Sequence, residues 1–128
     1  MTNRKRILIV DDDHDIRQGT NLRLRSAGYE TLQATNGRTG VDAATEFHPD
    51  AIVMDVCMPV MDGVEAMQRL RELKSTSDIP VVVLSAATQD ESEVLKSGAR
   101  FFVRKPYIAS ALLAAVDSVT SDKERTKI

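Results

Sequence analysis

Four short runs of consecutive apolar residues most constrain what this chain can fold into. They are Ile7-Leu8-Ile9-Val10, Ala51-Ile52-Val53-Met54, Val81-Val82-Val83-Leu84 and Phe101-Phe102-Val103. Each is too short for a helix and lacks the alternation of a half-exposed strand. Each therefore reads as a strand covered on both faces, the condition of a parallel sheet. The more polar stretch from Tyr29 to Ala34 suits an edge strand. Between these runs the apolar period becomes helical. Ile16, Thr20, Leu24 and Ala27 share one side of a first helix that Gly28 stops. Asn36-Gly37 precedes a second helix, with Val41, Ala44 and Phe47 on one side and Pro49 beyond its end. Asp62 is placed to cap a third, with Glu65 three residues on and Val64, Met67 and Leu70 as its stripe. Asp90 to Ser97 holds only Val94 and Leu95 as large apolar residues, which predicts a short, loosely anchored fourth helix. Ile108, Leu112, Ala115, Val116 and Val119 mark a strongly periodic last helix, and the polar stretch from Thr120 to Ile128 is expected to fray. Strand and helix alternate five times. The expected fold is α/β, a three-layer doubly wound (βα)5 unit with a five-stranded parallel sheet.

A chain of 128 residues, 42% apolar and 28% charged, suits one domain and is too short for two. It should bury about 70% of its unfolded surface without help from metal or disulfide. A net charge of −2 argues against nucleic acid as the main partner, because counterion release needs a basic surface. The run Arg4-Lys5-Arg6 reads as a solvated entry to the first strand. A single cysteine, Cys57, excludes an internal disulfide and fits a reducing compartment. No apolar stretch approaches a membrane span, and the start Met-Thr-Asn-Arg-Lys-Arg lacks the apolar core of a signal peptide. A cytoplasmic domain touching neither membrane nor nucleic acid directly is expected.

The polar residues gather where such a sheet binds ligands, beyond the carboxyl ends of its strands. Those ends carry Asp11-Asp12-Asp13, Asp55, Ser85 and Lys105, each following an apolar run directly or within one residue. Strands ~4.8 Å apart bring such side chains within reach of one ion. Converging carboxylates repel: two charges ~4 Å apart cost ~4 kcal/mol at an effective dielectric of ~20. The site must hold a proton or recruit a cation, and an incomplete shell of oxygen ligands suits Mg²⁺. Lys105 adds a point charge for an anion and Ser85 a hydroxyl donor. Together these groups describe phosphoryl transfer by positioning and charge neutralisation. One carboxylate can itself be the acceptor, since Asp forms acyl phosphates. The residues alone leave open which carboxylate that is.

From Arg6 to Val119 the chain resembles the receiver domain of bacterial two-component response regulators, whose fold is flavodoxin-like. Val10-Asp11-Asp12-Asp13 is similar to the acidic pair closing the family's first strand. Met54-Asp55-Val56-Cys57-Met58-Pro59-Val60-Met61-Asp62-Gly63 is similar to the phosphoacceptor strand and its loop. Leu84-Ser85-Ala86 matches the hydroxyl position, and Val103-Arg104-Lys105-Pro106-Tyr107 the lysine-proline position. The resemblance implies that Asp55 accepts a phosphoryl group from a histidine kinase or phosphotransfer protein. It implies Mg²⁺ held by Asp12, Asp55 and the Cys57 backbone carbonyl, with Asp11 acting through coordinated water. Ser85 and Lys105 would hold the phosphoryl oxygens, and the Lys105-Pro106 bond would be cis. Ser85 and Phe102 would form the switch, moving with the fourth helix once the phosphoryl group is in place. The fourth helix, fifth strand and last helix would form a signalling face toward a downstream protein or effector domain, with a homodimer through the last helix as one assembly. The implied chemistry is the domain's own phosphorylation and dephosphorylation, not enzymatic turnover. The domain is expected to span 1–120, with 121–128 a polar tail or linker stub. The chain is then a stand-alone regulator, a relay shuttle or an excised receiver.

Several residues depart from the family pattern. Phe102 stands where Tyr is common, keeping the ring and losing the hydroxyl. Phe101 beside it reads as packing. Ser85 replaces the commoner Thr, and the segment from Ser85 to Lys105 is slightly short. Cys57, two residues past the acceptor, reads as a small filler, and His14 and His48 as surface residues, since Mg²⁺ prefers oxygen. Met58, Met61 and Met67 read as loop and core packing, whereas Tyr107, Ala111 and Leu113 exceed what the core of the last helix needs. Two alternatives compete. In a haloacid-dehalogenase-type phosphatase, Asp11 would be the nucleophile with Asp13 two residues on, and the acidic strand end needed after the lysine would fall to Asp117, deep in a helix. In a pseudo-receiver, the same fold would bind a partner without being phosphorylated.

Overall fold

Strand and helix alternate five times through the residues that the computed structural model describes, which are 4–55, 63–85, 91–96, 98–104 and 109–125. The order is β1 (Arg6–Val10), α1 (His14–Ser26), β2 (Glu30–Ala34), α2 (Gly37–Phe47), β3 (Ala51–Asp55), α3 (Gly63–Glu72), β4 (Val81–Ser85), α4 (Glu91–Lys96), β5 (Phe101–Arg104) and α5 (Ala109–Arg125). All strand pairs are parallel, in the order β2-β1-β3-β4-β5. The polar strand β2 lies at an edge and the all-buried β3 at the centre. From β1 the chain first winds outward to β2 and then returns across β1 to β3. The direction of winding thus reverses between β1 and β3, opening a crevice beyond their carboxyl ends.

The continuous apolar runs serve two cores at once. Leu8, Val10, Ile52, Met54 and Val83 face one side, with Val41 and Ala44 of α2, Met67 and Leu70 of α3 and Val94 of α4. Ile7, Ile9, Val53, Val82 and Leu84 face the other, with Leu24 of α1 and Leu112, Val116 and Val119 of α5. Each fully buried Leu, Ile or Val contributes roughly 1.5–3 kcal/mol relative to exposure, so no strand can slip by one residue without emptying both cores.

Polar side chains and glycines set the helix ends. Asp13 caps α1, its carboxylate accepting the Ile16 N–H at 3.0 Å. Gly28, at φ 98°, turns the chain out of α1, and the Tyr29 N–H closes back on the Leu24 carbonyl at 3.1 Å. Asn36 and Thr39 form a reciprocal capping box at the start of α2. Buried Thr76 donates to the Leu70 carbonyl at 2.6 Å, satisfying an acceptor in the last turn of α3. Gly40 lets α2 lie directly on β1, because a Cβ there would stand 2.9 Å from a Val10 methyl. Gly40→Ala is therefore expected to destabilise by about 1–3 kcal/mol, although Ala is the better helix former by about 1 kcal/mol. A urea midpoint equal to or above wild type would contradict that close approach.

Some packing differs from the sequence expectation. Phe47 does not join the inner stripe of α2; it is 42% exposed, and the Arg6 guanidinium lies 5.9 Å from its ring centroid. Ala27 is the exposed C-cap of α1, not a core position. Phe101 is 37% exposed at the edge strand, beyond which no further strand pairs among the described residues. Leu113 packs on the α5-side core, whereas Ala111 is exposed as expected. The last helix runs on through Arg125, past the polar boundary at Thr120, where the Thr120 hydroxyl donates to the Val116 carbonyl. The short α4 is as expected. The cap at Asp62, the Lys105-Pro106 bond, and Met58, Met61, Tyr107 and Ile108 lie outside the described residues.

One polar contact ties the two ends of the α5-side core together. The Tyr29 phenol donates to Asp117 of α5. Burial of the ring, and then the bond to Asp117, push its pKa from 10.0 up to about 12. Below pH 10 the phenol is neutral in folded and unfolded chains alike, so its contribution is complete there. Between pH 10 and about 12 the unfolded chain gives up the proton first, so stability falls as pH rises. The stability margin of wild type over Tyr29→Phe should be constant below pH 10 and shrink across that window. A margin independent of pH up to 12 would contradict the assignment.

Candidate functional site

The crevice between β1 and β3 is where the acidic residues meet. Val10 pairs with Met54, so one step further along each strand brings Asp11 level with Asp55. Both are buried, at 2% and 6% exposure, while Asp12 stands exposed at the mouth. The three offer carboxylate oxygens that all lie within 4.8 Å of one another. At that separation the buried pair alone costs roughly 3–4 kcal/mol at an effective dielectric of ~20. Such an arrangement is relieved by a proton or a cation. Two oxygens on opposite sides of a Mg²⁺ stand ~4.2 Å apart, so an all-oxygen set gathered this closely is of the kind that ion takes.

The turn that carries Asp11 is held from several directions. Its N–H donates to the Ala34 carbonyl at 3.1 Å. Its carbonyl accepts from Arg17 Nη1 at 3.0 Å, and its Oδ1 accepts the Asp13 N–H at 2.9 Å. Asp13, expected at the rim, instead turns its carboxylate to the start of α1 and stays out of the acidic group. His14 is exposed beside Asp15 and His48 is an exposed cap at φ 49°, and neither joins the acidic group.

Two of the other expected site residues lie on the neighbouring strands. Ser85 ends β4, one step beyond the Leu84 that pairs with Asp55, and it pairs with Arg104 of β5. Phe102 sits in β5, half-buried against the core on the α2–α4 side. Lys105 and Cys57 lie outside the described residues. Sequence reasoning missed Arg17 and the capping role of Asp13. A capping acid followed three residues on by an apolar helical position is a readable signal. The return of Arg17 to the Asp11 carbonyl is a tertiary contact that no local pattern marks.

Comparison with known proteins identifies the class. The sequence profile of the response regulator receiver domain matches residues 7–117. The chain belongs to this family. Its relatives include the transcriptional regulatory protein PrrA of Mycobacterium tuberculosis, 40% identical over 116 residues, which are 89% of this chain and 49% of that protein. They also include the chemotaxis protein CheY of Thermotoga maritima, 36% identical over 119 residues, 91% of this chain and 98% of that one. The chain thus spans about half the length of the PrrA proteins and nearly all of CheY. Among solved structures, the receiver domain of sensor histidine kinase PA1611 from Pseudomonas aeruginosa, with a magnesium ion coordinated in its active site cleft, superposes with a TM-score of 0.86 at 28% identity, covering 92% of this chain and 98% of that one. The fold and the family are those the sequence implied. The phosphatase alternative finds no support: Asp13 is committed to a helix cap and Asp117 to Tyr29. No described helix is long and apolar enough to cross a membrane.

Proposed function

We propose that this receiver domain takes a phosphoryl group onto Asp55 from a histidine kinase or phosphotransfer protein. The observation that carries the reading is the convergence of Asp11, Asp12 and Asp55 within 4.8 Å at the switch point of the sheet. Asp55 is the acceptor because it closes the central strand, level with the acidic turn and beside β4. One of its carboxylate oxygens attacks phosphorus in line as the bond to the donor nitrogen breaks, giving an acyl phosphate. Asp12 and Asp55, with the Cys57 carbonyl, would hold Mg²⁺, with Asp11 acting through coordinated water. The ion supplies neutralising charge for the transferring group. Ser85 donates its hydroxyl and Lys105 its ammonium to the phosphoryl oxygens.

The new group brings a charge of about −2 to the rim. Ser85 moves toward it, and Phe102, half-buried in β5, turns into the space beneath. The short α4, anchored by Val94, is the element whose position is cheapest to change. Exposed Leu95, Phe101 and Ala111 lie on α4, β5 and α5, which supports an output face toward a downstream protein or effector domain. A homodimer through α5 is one way to use it. The domain acts on itself only, in the cytoplasm, with the receiver extending through residue 120. With Mg²⁺ and acetyl phosphate, intact-mass measurement should show one phosphoryl group per chain, absent when EDTA is added. No incorporation at all would leave a pseudo-receiver, and turnover of a phosphoester through Asp11 would restore the phosphatase.

A further inference from the structure

We propose that Arg17 is a positioning residue for the acidic site, a clamp that holds the turn after β1 so that Asp11 and Asp12 face Asp55. The inference rests on reading these carboxylates as a Mg²⁺ site. Arg17 enters α1 through its backbone, its N–H closing on the Asp13 carbonyl at 2.9 Å. Its side chain then folds back along the helix toward the sheet. Nη1 donates to the Asp11 carbonyl at 3.0 Å and Nε to the Gln33 side-chain oxygen at 3.1 Å. Gln33 belongs to β2, pairs with Ile9 of β1, and also accepts from Gln18 of α1 at 3.2 Å. The guanidinium therefore bridges the helix, the acidic turn and the edge strand, using both arms of a planar fork.

The carbonyl it grips is a sensitive one. The Asp11 oxygen and the Asp12 nitrogen lie in one rigid peptide plane. Fixing that oxygen fixes the plane, and with it the directions in which both acidic side chains leave the backbone. Two further contacts of Asp11, its N–H on Ala34 and its Oδ1 on the Asp13 N–H, hold the near and far sides of the turn. Without Arg17 the plane between them loses its direct hold, and a site loose by ~1 Å loses much of its affinity.

Arg17 is also a positive charge near the bound cation, and that effect has the opposite sign: removing it alone would tighten Mg²⁺ binding. The sign of the change therefore separates clamp from charge. The test is calorimetric Mg²⁺ titration of wild type, Arg17→Met, Arg17→Lys and Gln33→Ala, with hydrogen exchange of the Asp13 amide measured in metal-free protein. Arg17→Met should weaken Mg²⁺ binding by about tenfold and speed Asp13 exchange by a similar factor, the worth of one charge-assisted hydrogen bond. Arg17→Lys, which keeps the charge and a donor, should recover part of both. Gln33→Ala, which removes the Nε partner but leaves the grip on the Asp11 carbonyl, should lose less than Arg17→Met and serves if that variant does not fold. Unchanged or tighter Mg²⁺ binding in Arg17→Met, or unchanged Asp13 exchange, overturns the clamp. Failure of wild type itself to bind Mg²⁺ overturns the reading of the site, while the metal-free exchange data still decide whether Arg17 holds the turn.

Discussion

Asp55→Asn is expected to abolish phosphoryl incorporation and, in metal-free buffer, to leave a domain more stable than wild type. The first effect follows from chemistry: the amide keeps the size and shape of the carboxylate but is no nucleophile toward phosphorus. The second follows from the crowding. Asp55 and Asp11 are both buried and share a space of 4.8 Å with Asp12. Removing one buried charge relieves a repulsion of roughly 3–4 kcal/mol at an effective dielectric of ~20. Part of that gain is lost, because the carboxylate of Asp55 is not without partners. A net gain of about 1–2 kcal/mol is expected, seen as a higher urea midpoint with an unchanged slope. Saturating Mg²⁺ should then stabilise wild type and do little for Asp55→Asn. Continued labelling of the variant would move the acceptor to another carboxylate, and a lower metal-free midpoint would mean that the cluster is not strained.

The second large effect concerns the fold that carries the site. Leu112→Ala is expected to cost about 2–5 kcal/mol, a large share of a total stability of ~5–15 kcal/mol. Leu112 is fully buried among Ile7, Ile9, Val53, Val82 and Leu84, so the lost methyl groups leave a cavity beneath three strands. Leu22→Ala is the control: that side chain is 63% exposed on α1, and its loss should change stability by less than ~0.5 kcal/mol. Equal midpoints for the two variants would mean that α5 is not docked as described.

Parallel pairing, the edge place of β2 and the meeting of Asp11, Asp12 and Asp55 were legible in the sequence, for a common physical reason. Runs such as Val81-Val82-Val83-Leu84 are apolar on both faces, and only a parallel sheet covered on both sides buries them. Once the sheet is parallel, every strand ends on the same rim, and the acids that end them must meet. The resemblance to a known family then singled out Asp55, which repulsion and spacing alone did not. What stayed hidden depends on neighbours far along the chain. Phe47 falls on the expected stripe of α2, yet it sits in the last turn, where the helix overhangs the sheet and Arg6 offers its ring a partner. Phe101 begins a strand indistinguishable by composition from the central ones, but edge position leaves it half uncovered. Asp13 shares its residue type with the site acids and differs only in standing at the start of α1, where an unsatisfied amide takes its carboxylate. Arg17 looks like any solvated helix charge until the turn it grips is seen in three dimensions.

The account stands or falls on where a phosphoryl mimic settles. A crystal structure of the domain with Mg²⁺ and beryllofluoride should show beryllium bonded to a carboxylate oxygen of Asp55 and the metal held by Asp12 and Asp55, with Asp11 reached through water. An adduct on any other residue, or a metal bound away from those three carboxylates, would contradict it.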